Sequence, residues 1–269
     1  MLSNKDILQA TLEELFSKNQ LLPRVKQELS AVSDFTDVIE ANGLDHAFAI
    51  NLLAQMAIHR RCKINVLVGV LRHHYKDSQL TADEIWKCAE ADLVDFDPTT
   101  GMCITVAQLG SDLQNEIDKY QYPLPMVVPP EVLKDNNTTG YRLNRHGSVI
   151  LKNNHHNDDV CLDHLNRCNK VKLSINHEVM SMVQNSWKNL DKPKEDESVT
   201  DYQKRVKAFA KYDKSSRDVM KLLLSEGNEF YLTHAVDKRG RTYCRGYTVN
   251  YQGTAWNKAT VEFVNKELL

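Results

Sequence analysis

The stretch Phe230-Tyr-Leu-Thr-His-Ala-Val-Asp-Lys-Arg-Gly-Arg-Thr-Tyr243 decides how this chain of 269 residues is interpreted. Residues 230–236 are mostly aromatic, β-branched or apolar, which predicts a buried strand. Asp237-Lys-Arg-Gly240 predicts a tight turn, because glycine adopts the positive φ that such turns need. Residues 241–249 are rich in Thr, Tyr and Val and predict a second strand beside the first.

Two arginines flank the glycine of this turn. Arg239 and Arg241 carry forked donors whose geometry suits phosphate, and Gly240 lets a ligand approach the backbone closely. Asp237 can pair with one arginine and fix its direction. The alternative is an ordinary hairpin turn with surface arginines, which the spacing alone slightly favours.

A long helix is predicted just before this hairpin, over about 200–226, with Thr200 and Gln203 as its capping box. Cationic side chains recur every three or four residues and form one stripe beside the apolar face. The stripe consists of Lys204, Lys207, Lys211, Lys214, Arg217 and Lys221. Such a stripe can follow a phosphate backbone. Asp218 interrupts it, and a merely solvated helix face is the alternative.

The formal net charge of −2 conceals an asymmetry along the chain. Residues 1–120 carry a net charge of −7 and residues 201–269 a net charge of +5. A basic end on an acidic chain favours a local polyanion contact. No run reaches about 18 apolar residues, so no membrane span is predicted. The six cysteines form no CxxC pair, and the N-terminus is acidic, so we expect reduced thiols and a cytoplasmic protein.

Apolar spacing predicts helices over most of the first 90 residues, including one long segment over 44–75. Thr81 to Glu84 matches a capping box, and residues 94–106 predict a hairpin. A helix is expected over 111–119. Four prolines in residues 122–130 then predict extended backbone and a domain boundary.

These predictions give a mainly α protein with small β-hairpins (α+β). Its N-terminal helical domain spans 1–120, and a second domain spans 121–269. Within the second domain we expect another hairpin over 138–152, and helices over about 157–173 and 175–189.

Two groups of residues have the composition of other sites. Cys161, His164 and Cys168 share a helix face, with His155-His156 upstream, but no paired CxxC or HxxxH motif supports zinc. Cys62 lies close in sequence to His59 and His73-His74, which suggests a catalytic thiol, yet no third group that would orient the histidine is evident. We predict no metal or cofactor bound by this chain.

Three segments in order resemble the single-subunit RNA polymerases of phages and mitochondria. Residues 230–243 look like the DxxGR segment of that family, and Gln252-Gly253 followed by Lys258 continues the pattern. Met126-Val-Val-Pro-Pro130 is similar to its VVPP segment. Residues 204–214 resemble the basic helix before the DxxGR strand. The resemblance covers about 120–269 and implies the start of a polymerase catalytic domain.

The resemblance also implies roles for particular residues. Arg239 and Arg241 would contact the template strand and the RNA–DNA hybrid, and Tyr243 and Lys258 would line the same channel. The expected nucleic-acid contacts are Asp237, Arg239, Gly240, Arg241, Tyr243, Lys258, Lys204, Lys207, Lys211 and Lys214.

The chain departs from that family in one respect. It ends 28 residues after Arg241, before the segment in which the family carries its palm carboxylates and fingers. We therefore expect no catalytic residue here, and a chain that resembles the smaller subunit of a split phage RNA polymerase. A partner chain would hold Mg²⁺, and this chain would be inactive alone. The alternatives are a non-enzymatic helical DNA-binding or regulatory module, and a truncated relative of DNA polymerases with a TxxGR-like motif.

Overall fold

The computed structural model describes residues 3–17, 20–152, 154–188 and 190–266. In chain order the helices are α1 Asn4–Ser17, α2 Leu21–Ser30, α3 Ser33–Ala41, α4 His46–His59, α5 Ile64–Leu71, α6 Ser78–Glu90, α7 Ser111–Lys119, α8 Leu162–Asn169, α9 His177–Met182, α10 Val199–Ser225 and α11 Ala255–Thr260. The strands are β1 Arg61–Lys63, β2 Val94–Asp97, β3 Met102–Thr105, β4 Leu173–Ile175, β5 His234–Val236, β6 Thr242–Cys244 and β7 Val261–Phe263. The predicted fold class, mainly α with small β-hairpins, is confirmed.

The chain forms two compact units. One contains residues 20–117, and the other joins residues 3–17 to residues 118–266. Helix α1 therefore packs with the C-terminal part of the chain rather than with the helices that follow it. The sequence placed it in a domain of residues 1–120, and the physical reason for the difference is the anchoring of Glu13 described below.

The unit of residues 20–117 consists of helices around a small sheet. Strands pair antiparallel in the order β1-β3-β2, which confirms the hairpin predicted over 94–106. The single helix predicted over 44–75 is wrong, because Arg60 adopts a positive φ of 62° that ends α4, and β1 then pairs with β3. The capping box at Thr81 is also wrong. Asp77 caps α6 by accepting from the backbone of Leu80, and Thr81 is buried inside the helix.

In the other unit, residues 230–236 run through the core, but only His234–Val236 is a strand, β5, and residues 230 and 231 each make an isolated bridge. The strand predicted over 241–249 is likewise limited to β6, Thr242–Cys244. Phe230 exchanges backbone hydrogen bonds with Leu173, and Tyr231 does so with Met126 of the proline-rich segment. Val236 bridges Ile150 in parallel, while β5 pairs with β6 in the predicted hairpin. Every residue from 230 to 236 is buried, which explains the continuous run of apolar and β-branched residues.

The carboxylate of Glu13 holds α1 in this unit. It accepts the backbone N–H groups of Arg142, Leu143 and Asn144 at 3.0, 2.6 and 3.0 Å, and the amide of Gln9 at 2.9 Å. Glu13 is 2% exposed. Three successive backbone donors form a concave anion site, which here is filled by a side chain from α1.

The same contacts explain why the hairpin predicted over 138–152 is wrong. Its donors at 142–144 bind Glu13, so the segment pairs with itself only at the bridge between Thr138 and His146, while Ile150 bridges Val236. Two predicted helices are shorter than expected. Within 157–173 only α8 is helical, and within the described part of 175–189 only α9. Leu173–Ile175, which lies between them, pairs with β7 as β4.

Helix α10 spans 199–225, close to the prediction, and its apolar face packs into the core through Val219, Met220 and Leu223. Ser198, not Thr200, is its N-cap, since Ser198 Oγ accepts the backbone N–H of Asp201 at 3.1 Å. None of the helices in the described ranges is long and apolar enough to cross a membrane.

Candidate nucleic-acid interface

Residues 237–241, here called the arginine turn, connect β5 to β6. Gly240 has a φ of 78°, and its N–H donates to the carbonyl of Asp237 at 2.9 Å. The N–H of Asp237 donates in turn to the carbonyl of Arg241 at 3.0 Å. A Cβ at Gly240 would meet no atom within 4 Å, so the outer side of the turn is open. The glycine is needed for its backbone conformation rather than for space.

The carboxylate of Asp237 organises both arginines. One oxygen accepts the backbone N–H groups of Arg239 and Arg241 at 2.9 and 3.1 Å. The other accepts Nε and Nη2 of Arg241 at 2.8 and 2.7 Å, and lies 3.5 Å from Nε of Arg239. Asp237 is largely covered, whereas the side chains of Arg239 and Arg241 are 62% and 52% exposed. The pairing proposed from the spacing of these residues is therefore present.

The two charges stabilise each other. Burial acts to raise the pKa of Asp237, but hydrogen bonds from the backbone and side chain of Arg241 outweigh it and lower that pKa. The hydrogen bond to Asp237 raises the pKa of Arg241. The turn thus presents the guanidinium of Arg241, which stays charged and keeps a fixed direction, beside the more exposed side chain of Arg239.

Strand β6 and the segment after it hold the turn in place. Gln252 accepts the N–H of Cys244 at 2.8 Å and donates to the carbonyl of Thr242 at 3.2 Å, so its side chain pairs with the outer edge of β6. The guanidinium carbon of Arg241 lies 5.8 Å from the ring centroid of Tyr243. Arg241 and Tyr243, both expected to contact nucleic acid, are thereby brought together.

A buried network of hydrogen-bonded side chains supports β5. His234 is 2% exposed, its Nδ1 lies 2.9 Å from Oδ1 of Asn169, and its Nε2 lies 2.7 Å from the hydroxyl of Tyr251. Burial, helped by the nearby His164, lowers the pKa of His234 to about 4. His234 is thus a neutral hydrogen-bonded link near neutral pH, joining β5 to α8 and to the segment that carries Gln252.

The other expected contacts are dispersed. Lys258 is exposed on α11, and no contact in the described residues joins it to the arginine turn. On α10, Lys211 pairs with Asp118 at 2.7 Å and Lys204 with Asp201 at 3.2 Å. Arg217 pairs with Asp213 at 3.0 Å. These acidic partners reduce the positive charge that the stripe presents to solvent.

Two cations of the stripe differ from the paired ones. Lys207 and Lys221 are exposed, and no ion pair is found for either within the described ranges. Lys214 is also exposed. The stripe therefore offers fewer effective phosphate contacts than its composition suggests.

The two groups considered as metal or thiol sites do not assemble. Sγ of Cys168 lies 3.7 Å from Nε2 of His164, but Cys161 is not part of a cluster with them. The described part of the chain holds no group of three or more His, Cys, Asp or Glu side chains that could bind a metal ion. Burial raises the pKa of the Cys62 thiol, which disfavours the reactive thiolate.

Sequence reasoning missed the supporting residues. The side-chain pairing of Gln252 with β6 and the link from Asn169 through His234 to Tyr251 depend on contacts between distant segments. A histidine inside an apolar strand was the only available signal, and it did not identify the two residues it binds.

Comparison with known proteins shows similarity to an RNA polymerase. Over 156 residues the chain is 24% identical to a probable DNA-directed RNA polymerase of Gelasinospora sp. (strain G114). This part of the chain is therefore similar to part of an RNA polymerase. The aligned part is 54% of this chain but only 17% of that protein, so the chain spans about one sixth of its relative. No protein-family model matches the sequence.

Proposed function

We propose that this chain is the part of a DNA-directed RNA polymerase that binds template DNA and the RNA–DNA hybrid. The arginine turn carries this proposal. It presents two exposed guanidinium groups, aligned by one carboxylate, on a hairpin whose other edge is held by Gln252. Forked donors held in this way suit the phosphates of a nucleic-acid backbone.

The similarity to an RNA polymerase supports a nucleotidyltransferase assembly. The acidic group of the turn does not fit a magnesium centre, because both oxygens of Asp237 are occupied by Arg239 and Arg241. The proposal therefore includes a second polymerase chain that carries palm, fingers and the metal-binding carboxylates. This chain's own residues bind and orient the template and the transcript.

The first test of the proposal measures binding of a fluorescently labelled RNA–DNA hybrid by anisotropy at several salt concentrations. Arg241→Ala removes a charge-assisted contact and should weaken binding about tenfold or more. It should also lower the slope of log affinity against log salt by about one. Arg145→Ala is the control, since Arg145 is also an exposed arginine paired with a carboxylate, that of Glu131 at 3.2 Å, but lies outside the turn. Equal affinity for the Arg241→Ala and Arg145→Ala variants would remove the assigned role.

The second test is RNA extension on a primed template. The proposed assembly predicts no extension by this chain alone, and extension after a candidate polymerase chain is added. Robust synthesis by the isolated chain would refute the division of labour while leaving the binding role intact.

The non-enzymatic DNA-binding module remains the alternative, and it relies on α10. It predicts that Lys207→Ala and Lys221→Ala weaken DNA binding more than Arg241→Ala does. On α10, Lys204, Lys211 and Arg217 pair with acidic residues, as Arg239 and Arg241 pair with Asp237 in the turn, so the relative effect of these variants decides between the two surfaces.

A further inference from the structure

Three polar side chains of the unit of residues 20–117 meet at the turn between α5 and α6. His73 and His74 lie in this turn, and Asn51 lies on α4. The amide nitrogen Nδ2 of Asn51 is 2.8 Å from Nε2 of His74 and 3.5 Å from Nε2 of His73. One amide group therefore faces the same ring nitrogen of two histidines, whose ring centroids are 4.4 Å apart.

The contacts of the two rings determine where their lone pairs point. Nδ1 of His73 lies 3.0 Å from the carbonyl oxygen of Val70, which can only accept, so Nδ1 carries the proton. Nε2 of His74 accepts from the amide of Asn51. In the neutral rings both Nε2 atoms keep a lone pair, and both lone pairs are directed at Asn51. Burial, and after it the neighbouring His73, lower the pKa of His74, which favours its neutral form.

Two neutral histidines with converging lone pairs have the arrangement of metal ligands. Imidazole binds divalent transition metals through such a lone pair, and the other ring nitrogen of the ligand normally donates to a carbonyl or a carboxylate. His73 already makes that second contact, at Val70. The ring of His74 is positioned edge-to-face by Phe48, with ring centroids 5.4 Å apart.

Asn51 supplies an independent observation. It is 2% exposed, and within the described ranges its Oδ1 has no hydrogen-bond partner. A half-turn of the amide exchanges Oδ1 and Nδ2 without changing the shape of the side chain. Without a cation the oxygen would then face two lone pairs, so the nitrogen lies there instead. With a cation the oxygen becomes a third ligand, and because Oδ1 has no partner to lose, the half-turn breaks only the contacts to the two rings.

We propose that Nε2 of His73, Nε2 of His74 and Oδ1 of Asn51 bind a divalent transition-metal ion of the Zn²⁺ class. Nitrogen and oxygen ligands suit this ion, and water can complete a tetrahedral site because His73 is exposed. The inference departs from the expectation that this chain binds no metal. The third ligand is an amide, so the site is not a group of three His, Cys, Asp or Glu side chains. The arginine turn belongs to the other unit, so the site does not depend on the proposed function.

A second pair of adjacent histidines provides a matched control. Nδ1 of His155 lies 2.9 Å from Oγ of Ser148, whereas Nδ1 of His156 lies 3.8 Å from a carboxylate oxygen of Asp158. The two rings thus have different partners, and no shared contact joins them in the part of the chain that the structure describes. A comparison of the two pairs separates convergence of the rings from mere adjacency in the sequence.

Calorimetric titration of the full chain with ZnCl₂ near neutral pH measures the affinity of the site. His73→Gln and His74→Gln should each weaken zinc binding about tenfold or more, since each removes a ligand. His156→Gln is the control and should bind zinc like the wild type. MgCl₂ in excess should not compete, because Mg²⁺ prefers oxygen ligands to imidazole. Circular dichroism establishes that each variant folds.

NMR of the imidazole nitrogens and of the side-chain amides identifies the ligands directly. Zn²⁺ should shift Nε2 of His73 and His74 and the amide signals of Asn51, and leave the ring of His156 unchanged. Asn51→Asp keeps the shape of the side chain and adds a negative charge, so it should raise zinc affinity severalfold.

Equal zinc affinity in the wild type and in folded His73→Gln and His74→Gln variants would overturn the inference. Zinc-dependent shifts at His156 in place of His73 and His74 would also overturn it, because adjacency alone would then account for binding. Displacement of Zn²⁺ by Mg²⁺ would show a site of oxygen ligands elsewhere. Unchanged affinity in a folded Asn51→Asp variant would exclude the amide as the third ligand.

Discussion

His234 is a buried titratable residue in β5, the strand that leads into the arginine turn. Its pKa of about 4 in the folded chain lies below the ordinary value of 6.5, chiefly because of burial. Between these values the unfolded chain binds the additional proton, so the free energy of unfolding falls as the pH falls from 6.5 towards 4.

We expect this one histidine to remove about 3 kcal/mol of stability between pH 7 and pH 4. Urea unfolding at several pH values measures the effect. His234→Gln cannot titrate, so it should flatten this part of the pH profile even if the variant is less stable throughout. His177→Gln, which alters an exposed histidine on α9, serves as the control and should leave the profile unchanged. An unaltered slope in the His234→Gln variant would refute the assignment.

At the level of single residues, the sequence correctly predicted what is local. The pairing of Asp237 with Arg241 depends on a separation of four residues across a turn, so the spacing was sufficient. The residues that Glu13 and Gln252 bind could not be predicted. Glu13 reaches a backbone segment about 130 positions away, and a buried carboxylate at 2% exposure looks in the sequence like any surface glutamate.

At the level of elements, two glycines offer a direct test of how the segment after β6 is built. A Cβ at Gly246 would overlap the carbonyl oxygen of Val249, a backbone atom that cannot move aside easily. Gly69 lies within α5, and a Cβ there would meet no atom within 4 Å.

Gly246→Ala should therefore lower the free energy of unfolding by about 1–3 kcal/mol, because the turn must open. Gly69→Ala should raise it by up to about 1 kcal/mol, because alanine is the better helix former. Chemical denaturation of the two variants measures both effects. Equal stability of the two variants would mean that the turn at 246–249 differs from the structure.

The elements also show where sequence patterns fail. Helix α7 begins and ends where its apolar spacing predicts, and α10 differs only in its cap. The segment 44–75 reads as one helix because α4 and α5 are both strongly apolar, yet three residues between them pair with β3. Strand pairing decided that outcome, and the periodicity of a segment carries no information about its partner strand.

At the level of the whole molecule, the division into two units predicts that the first helix is needed by the last part of the chain. Leu12 belongs to the same core as Phe230 and Trp256, and Glu13 occupies the donors of residues 142–144. Without α1, the core loses Leu12, and those three part-buried donors lose the carboxylate that now accepts them.

A fragment of residues 118–269 should therefore unfold without a sharp transition, and adding a peptide of residues 1–17 should restore cooperative unfolding in urea. The same peptide with Glu13→Ala should restore little, since it leaves the donors unpaired. A fragment of residues 20–117, which has its own core of helices around β1–β3, should fold alone. Its unfolding in urea should not change when either peptide is added. Sharp unfolding of residues 118–269 without the peptide would contradict this prediction, because it would show that the unit folds without α1.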